Sequence, residues 1–130
     1  MGKNDYKRIT LSELIAKAEQ RVAAKGNPKV KEFYVQSLEG TVLLKAPKVE
    51  EVADATKLAE DGGNEYLIYS CCVDPNLKDK ELQESYGVAE PVELVQKIFE
   101  PGEIASLSIE CMKLAGYSED SVRPVDTIKN

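Results

Sequence analysis

Glu65-Tyr66-Leu67-Ile68-Tyr69-Ser70-Cys71-Cys72-Val73 is the stretch on which the fold turns. It is apolar almost all round, so periodicity does not separate a buried strand from a buried helix. Tyr, Ile and Val lean toward strand. Asn64 just before it is a good helix N-cap, and Glu65 would fall in a first turn, where the helix dipole favours a carboxylate. On these grounds the two readings balance. A helix makes the chain mainly α; a strand makes it more mixed.

Upstream, residues 32–46 read as a β-hairpin. Phe33 and Val35, flanked by Tyr34, Gln36 and Ser37, form one strand, and Thr41 to Lys45 form the second. Leu38-Glu39-Gly40 lies between them, with Gly40 available for positive φ in the turn. Two strands alone are marginal in water, so the hairpin must pack on helices or pair with a neighbouring chain. Pro47 ends the second strand and leads toward a helix. Before the hairpin, Thr10 and Glu13 stand at capping-box spacing. Leu11, Leu14, Ile15, Ala18 and Val22 follow as one apolar stripe on a helix of about four turns. Lys17, Glu19, Arg21 and Lys25 fall largely on its other faces. Gly26 is placed to supply a left-handed cap, and Pro28 bars continuation. Residues 1–8 are expected to fray.

Residues 48–61 predict a weaker helix with Val49, Val52, Ala53, Thr56 and Ala59 on one side, stopped by Gly62-Gly63. Asp74-Pro75-Asn76 is a turn. Residues 78–86 predict a short helix carrying Leu82 and Tyr86, with Gly87 as C-cap and Val88 after it. Pro91 opens another, with Val92, Val95, Ile98 and Phe99 on one face. Pro101 opens the last, with Ile104, Leu107, Ser108, Cys111, Leu114 and Ala115 at helical spacing. Gly116-Tyr117 closes it as a Schellman-type cap. Residues 118–130 are polar, contain Pro124 and read as a mobile tail.

The 130 residues are 42% hydrophobic and 31% charged, enough for one core without disulfide or metal. The whole chain reads as a single domain, with 9–46 as helix plus hairpin and 47–117 as a helical core. No apolar run approaches the ~20 residues of a membrane span, and the first residues lack an apolar signal core. Net charge is −6, which argues against a nucleic-acid binder. The charge is unevenly spread: residues 1–48 carry ten Lys/Arg and five Asp/Glu, and residues 49–130 carry seven and eighteen. Such a split can orient head-to-tail association or steer a charged partner. A solvated surface accounts for it as well.

Sites for chemistry are sparse. His is absent, which removes the commonest general base and metal ligand. Cys71, Cys72 and Cys111 lack Cys-x-x-Cys spacing and read as buried, reduced thiols. Gly62-Gly63 is no phosphate loop. Asp74-Pro75-Asn76 starts like a calcium loop, but Lys78 fills a ligand position and Asp79 stands where glycine is required. No serine lies in a nucleophile elbow. The carboxylate pairs Glu50/Glu51 and Glu119/Asp120 sit in solvated contexts, without the burial that splits pKa values. The expectation is a protein that is not an enzyme, with no catalytic residue, cofactor or metal. Lys3, Lys7, Arg8, Lys17, Arg21, Lys25, Lys29 and Lys31, with Tyr6, Phe33 and Tyr34, are the candidates for nucleic acid. A solvated face explains them equally well.

An ordered set of short blocks resembles the tail assembly chaperones of long-tailed phages and prophages, especially of Gram-positive hosts. Leu11-Ser-Glu-Leu-Ile-Ala-Lys-Ala-Glu-Gln-Arg21 resembles the family's opening helix, and Glu32-Phe-Tyr-Val-Gln-Ser-Leu-Glu-Gly-Thr-Val42 its hairpin. Cys72-Val-Asp-Pro-Asn-Leu77, Glu81-Leu82 and Tyr86-Gly87 resemble its central segment. Val95 to Phe99, Pro101-Gly-Glu-Ile104 and Leu114-Ala-Gly-Tyr117 resemble its last helices. The resemblance implies a helix over 65–73. The implied fold is mainly α (α+β): an N-terminal helix and a β-hairpin, then a compact bundle of about five short helices. It also implies a non-catalytic protein that binds and solubilises the tape measure protein in the cytoplasm of the bacterial host and is absent from the finished virion. Self-association is expected, with the hairpin and basic helix as subunit contact; nucleic acid and membrane are not expected partners. The resemblance carries over no partner-binding residues. The alternatives are a structural tail or baseplate component and, less favoured, a small nucleic-acid-binding regulator.

Overall fold

A computed structural model of the chain describes residues 6–118 and 120–125. Parts of the frayed start and mobile tail expected from the sequence, residues 1–5, 119 and 126–130, lie outside the described residues. The described residues form seven α-helices and a three-stranded antiparallel sheet, so the fold is mainly α with a small β component. The chain falls into two compact units, residues 1–28 with 118–130, and residues 29–117.

The first unit holds α1 (Leu11–Ala16) and α2 (Ala18–Gly26). Thr10 and Glu13 form the expected capping box: the Glu13 N–H donates to Thr10 Oγ1 at 3.1 Å, and the Thr10 N–H donates to Glu13 Oε1 at 2.9 Å. The expected single helix is divided at Lys17, whose ψ of −2° is flatter than helical. The ladder still crosses it, from Lys17 N–H to Glu13 and from Arg21 N–H to Lys17. Gly26 is not the left-handed cap. It is the last residue of α2, Asn27 turns extended, and the Asn27 side-chain amide donates to the Ala23 carbonyl. Within this unit Arg123 donates to the Tyr6 hydroxyl at 3.5 Å.

The second unit begins with the hairpin, β1 (Val30–Val35) and β2 (Gly40–Lys45), in register Phe33↔Val42 and Val35↔Gly40. A 3-10 turn over Gln36–Leu38 joins them. The positive φ of the turn, 52°, falls on Glu39 rather than Gly40, because Gly40 is already paired in the ladder. Val35, Val42 and Leu44 are buried, and both strands touch α7, so the hairpin packs on helices.

Pro47 is buried, and α3 (Val49–Leu58) follows. Its inward positions are Glu51, Val52, Ala55 and Leu58. The expected face was rotated: only Val52 belongs to it, while Val49, Ala53, Thr56 and Ala59 are exposed. Small apolar residues on most sides of α3 made its sequence stripe ambiguous. A 3-10 turn, Ala59–Asp61, leads to Gly62 at φ 112°. The helix itself ends at Leu58, where Ala59 turns out of it at φ 47°, and Gly62 caps the 3-10 turn, so α3 stops before the expected Gly62-Gly63. Gly63 opens α4 (Gly63–Cys71), so Asn64 lies inside the helix and is not its N-cap.

Residues 63–71 are helical, as the resemblance implied, and the segment is apolar all round because α4 is central. It packs against α3, α6, α7 and β2. The helix ends before Val73, however: Cys72–Asp74 forms β3, which pairs with β2 at Leu44↔Cys72 across a bulge. The sheet order is therefore β1-β2-β3. A cis Asp74–Pro75 bond and a turn closed by Asp79 N–H on the Asn76 carbonyl lead to α5 (Lys80–Tyr86). Gly87 takes φ 71°, and the Val88 N–H reaches the Gln83 carbonyl, the expected cap. In α6 (Pro91–Ile98) Val95 and the following Phe99 are buried as expected, along with Leu94. In α7 (Pro101–Leu114) Ile104, Leu107, Ser108 and Cys111 are buried, and Gly116 and Tyr117 close it as expected.

Candidate interaction surfaces

Every residue of α1 and α2 is exposed. Leu11, Leu14, Ile15 and Val22 are 75%, 53%, 65% and 73% exposed, so the stripe read from sequence exists and is not buried within its own unit. Lys17, Arg21 and Lys25 flank it. Lys3 and Glu119 lie outside the described residues. The remaining basic candidates are dispersed: Lys29 and Lys31 belong to the hairpin unit, where the Lys31 ammonium sits 5.9 Å from the Phe33 ring centre. Tyr34 is exposed on the outer face of β1 beside Val30 and Glu32. Lys29 accepts from the Ala46 N–H at 2.7 Å, which sets the alternation of the ladder. The backbone groups of Val30, Glu32 and Tyr34 thus lie along the open edge of the sheet.

Two open grooves flank α4. One, about 490 Å³, is lined by Val52, Ala55, Thr56, Leu67 and Met112, with Glu60 among its walls. The other, about 350 Å³, is lined by Phe99, Pro101, Ile104 and Ala105, with Gln96 donating to Glu65 at 2.8 Å. Asn64 borders both and accepts from the Ser108 hydroxyl at 2.9 Å. Sequence reasoning missed both grooves, because each joins segments far apart in the chain.

The expected carboxylate context holds for exposed Glu50 but not for Glu51. Glu51 is half-buried and pairs with the Lys45 ammonium at 3.0 Å. Burial pushes its pKa up, but the Lys48 N–H and Lys45 outweigh this and hold it below the usual range. Glu103 ties two elements together. Its carboxylate accepts from the Glu100 N–H, the Ser37 hydroxyl at 2.7 Å and the Ser37 N–H at 3.0 Å, which lowers its pKa. A capping role at the start of α7 was within reach of sequence reading; the partner Ser37 was not.

Because the folded Glu103 pKa lies below its unfolded value, its contribution is full above the ordinary carboxylate range and is lost as pH falls through the folded value. Thermal melts from neutral pH down to about 3 should therefore fall more steeply for the native chain than for Glu103→Gln. Identical slopes would remove this role. The effect should be small, since the site is exposed.

All three cysteines are free and buried, as expected. Cys71 ends α4, Cys72 starts β3, and Cys111 donates to the Lys45 carbonyl at 3.5 Å. Burial, with Asp74 nearby, pushes Cys72 up to about 11. The hydrogen bond with Cys71 and burial raise Cys111 as well. A water-soluble aromatic disulfide is expected to leave all three thiols unreacted in the native chain near neutral pH and to titrate all three after unfolding. Fast reaction of any one before unfolding would contradict the burial. Among the described residues no three His, Cys, Asp or Glu cluster to hold a metal, and no helix is long and apolar enough to cross a membrane.

This arrangement, a small antiparallel sheet packed on short helices, is shared with a solved protein. The crystal structure of the protein yqbn matches 71% of this chain and 88% of that chain, with a TM-score of 0.57 and 19% identity, a likeness of fold. No curated protein matches the chain. Residues 11–129 match the family described as phage XkdN-like tail assembly chaperone protein. The chain belongs to that family of phage tail assembly chaperones, as the ordered blocks of its sequence implied.

Proposed function

We propose that this chain binds the tape measure protein during tail assembly and keeps it soluble, without catalysis. Family membership over residues 11–129 carries the reading. The uncovered apolar side chains of α1–α2 and the apolar grooves beside α4 support it, since a long helical client presents apolar faces that such surfaces shield. Several copies act together on one client, in the host cytoplasm, and leave before the virion is complete.

The test is co-expression with the long helical protein encoded just downstream, followed by pulldown and mass measurement. Recovery of a soluble complex with many copies of this chain, from a client insoluble alone, is the expected result. A client equally insoluble with and without this chain would overturn the reading, and detection of the chain in purified particles would favour a permanent tail component instead.

A further inference from the structure

We propose that α3 is a lid that lifts off α4, its opening favoured by backbone strain stored at its C-terminal end. Such lifting needs no client and stands apart from the chaperone reading. Ala59 is the source of the strain. It leaves α3 at φ 47°, ψ −119°. That is the first central position of a type II′ turn, a conformation dominated by glycine because a side-chain carbon crowds the backbone there. Alanine is also the best helix former, so the local sequence favours continuing the helix through it. Packing overrides that preference. Gly63 opens α4 directly against α3, where a side-chain carbon would stand 2.5 Å from the Ala55 carbonyl oxygen. To bring Gly63 there the chain must turn between Leu58 and Gly62, and Ala59 takes the strain.

The helix that carries this strain is lightly held. No residue of α3 is buried, whereas α4 buries Leu67, Ile68, Ser70 and Cys71. The main packing partner of α3 is α4, while α4 itself packs on several elements. The seam between them is incompletely filled. The groove of about 490 Å³ has Val52, Ala55 and Thr56 on one side and Leu67 and Met112 on the other. Atoms that line a cleft lack the contacts a filled interior gives them.

Both ends of the moving segment are fixed. At the N-terminal end Pro47 is buried, and the Glu51 carboxylate accepts from the Lys45 ammonium at 3.0 Å and the Lys48 N–H at 2.8 Å. At the other end Gly62 and Gly63 are buried. Between these anchors the Tyr66 hydroxyl of α4 donates to Asp54 of α3 at 3.3 Å, a long and exposed hydrogen bond. Lifting residues 52–61 frees Ala59 from its strained conformation. It also uncovers Leu67, which is 3% exposed with α3 in place. The closed form therefore hides apolar side chains that the open form presents to water.

Amide hydrogen exchange of the full chain, corrected for intrinsic rates, tests this. Amides of residues 54–59 should exchange at least about thirtyfold faster than those of residues 67–71, with one shared protection factor because they open together. Ala59→Gly relieves the closed form of strain that the open and unfolded forms lack. It should therefore slow both sets of amides by a similar factor, about three- to tenfold after the greater freedom of glycine is allowed for. Equal protection of the two helices in the native chain overturns the lid. So does a gradient of rates falling inward from the ends of α3, which is fraying. Slowing in α4 but not in α3 would mean that Ala59 keeps its conformation when α3 opens, and overturns release by strain. An Ala59→Gly chain that exchanges no more slowly in either helix overturns the strain itself.

Discussion

Replacing Gly62 by alanine is expected to destabilise the second unit by about 2–4 kcal/mol, seen as a fall in Tm of roughly 10–25 °C. Two costs add. Gly62 holds φ 112°, ψ 21°, where a side-chain carbon crowds the backbone at about 1–2 kcal/mol. The new methyl would also run into Val92 Cγ2 on α6, and overpacking of this kind costs about 1–3 kcal/mol unless the neighbour yields. Gly87 separates the two terms. It also has positive φ, 71°, but a carbon added there meets nothing within 4 Å. Gly87→Ala should therefore cost only the backbone term, about 1–2 kcal/mol. Combining Gly62→Ala with Val92→Ala should recover part of the loss in a double-mutant cycle. Equal Tm shifts for Gly62→Ala and Gly87→Ala would show that the Val92 contact carries no weight.

Ile68→Ala is expected to cost about 2–5 kcal/mol, the range for truncating a fully enclosed aliphatic side chain. Ile68 has no exposed surface and sits on α4, the helix that touches α3, α6, α7 and β2 at once. The surrounding elements are held by one another as well as by Ile68, so the cavity collapses poorly. Ile68→Val should cost only about 0.5–1.5 kcal/mol. Ile109 on α7 is the control: it is 57% exposed, and its truncation should fall within about 0.5 kcal/mol of zero. Urea midpoints at constant slope measure all three. Against a total stability of about 5–15 kcal/mol, the core variant spends a large share. A midpoint for Ile68→Ala no lower than for Ile109→Ala would contradict the central place of α4.

What the sequence made legible follows from how local each signal is. The starts of α6 and α7 at Pro91 and Pro101, and the ends marked by Gly87 and Gly116, are set by residues within one turn, and they read correctly. The segment 65–73 did not decide itself, because a helix enclosed on every side loses the polar stripe that gives helices their period. Its last residues leave the helix because Cys72 pairs with Leu44, a contact across the fold. Glu39 rather than Gly40 takes the left-handed turn position for a similar reason: the ladder register claims Gly40. The apolar stripe of α1 and α2 was visible residue by residue, but that its own unit buries none of it was not. The grooves beside α4 were out of reach altogether, since Val52, Leu67 and Met112 come together only through tertiary packing.

The open edge of β1 bears on how copies of this chain can meet. If two such edges joined antiparallel in full overlap, with their outward backbone groups matched, Val30 would face Tyr34 and Glu32 would face Glu32. Two like carboxylates would then oppose each other at the centre of the new ladder, while Glu32 at present accepts from the Thr41 hydroxyl within its own sheet at 2.8 Å. The Glu32 carboxylate thus disfavours that one pairing of bare edges, which are the hazard of any open sheet. The sheet of this tail assembly chaperone is thereby less open to extension in that register than a bare edge alone would make it.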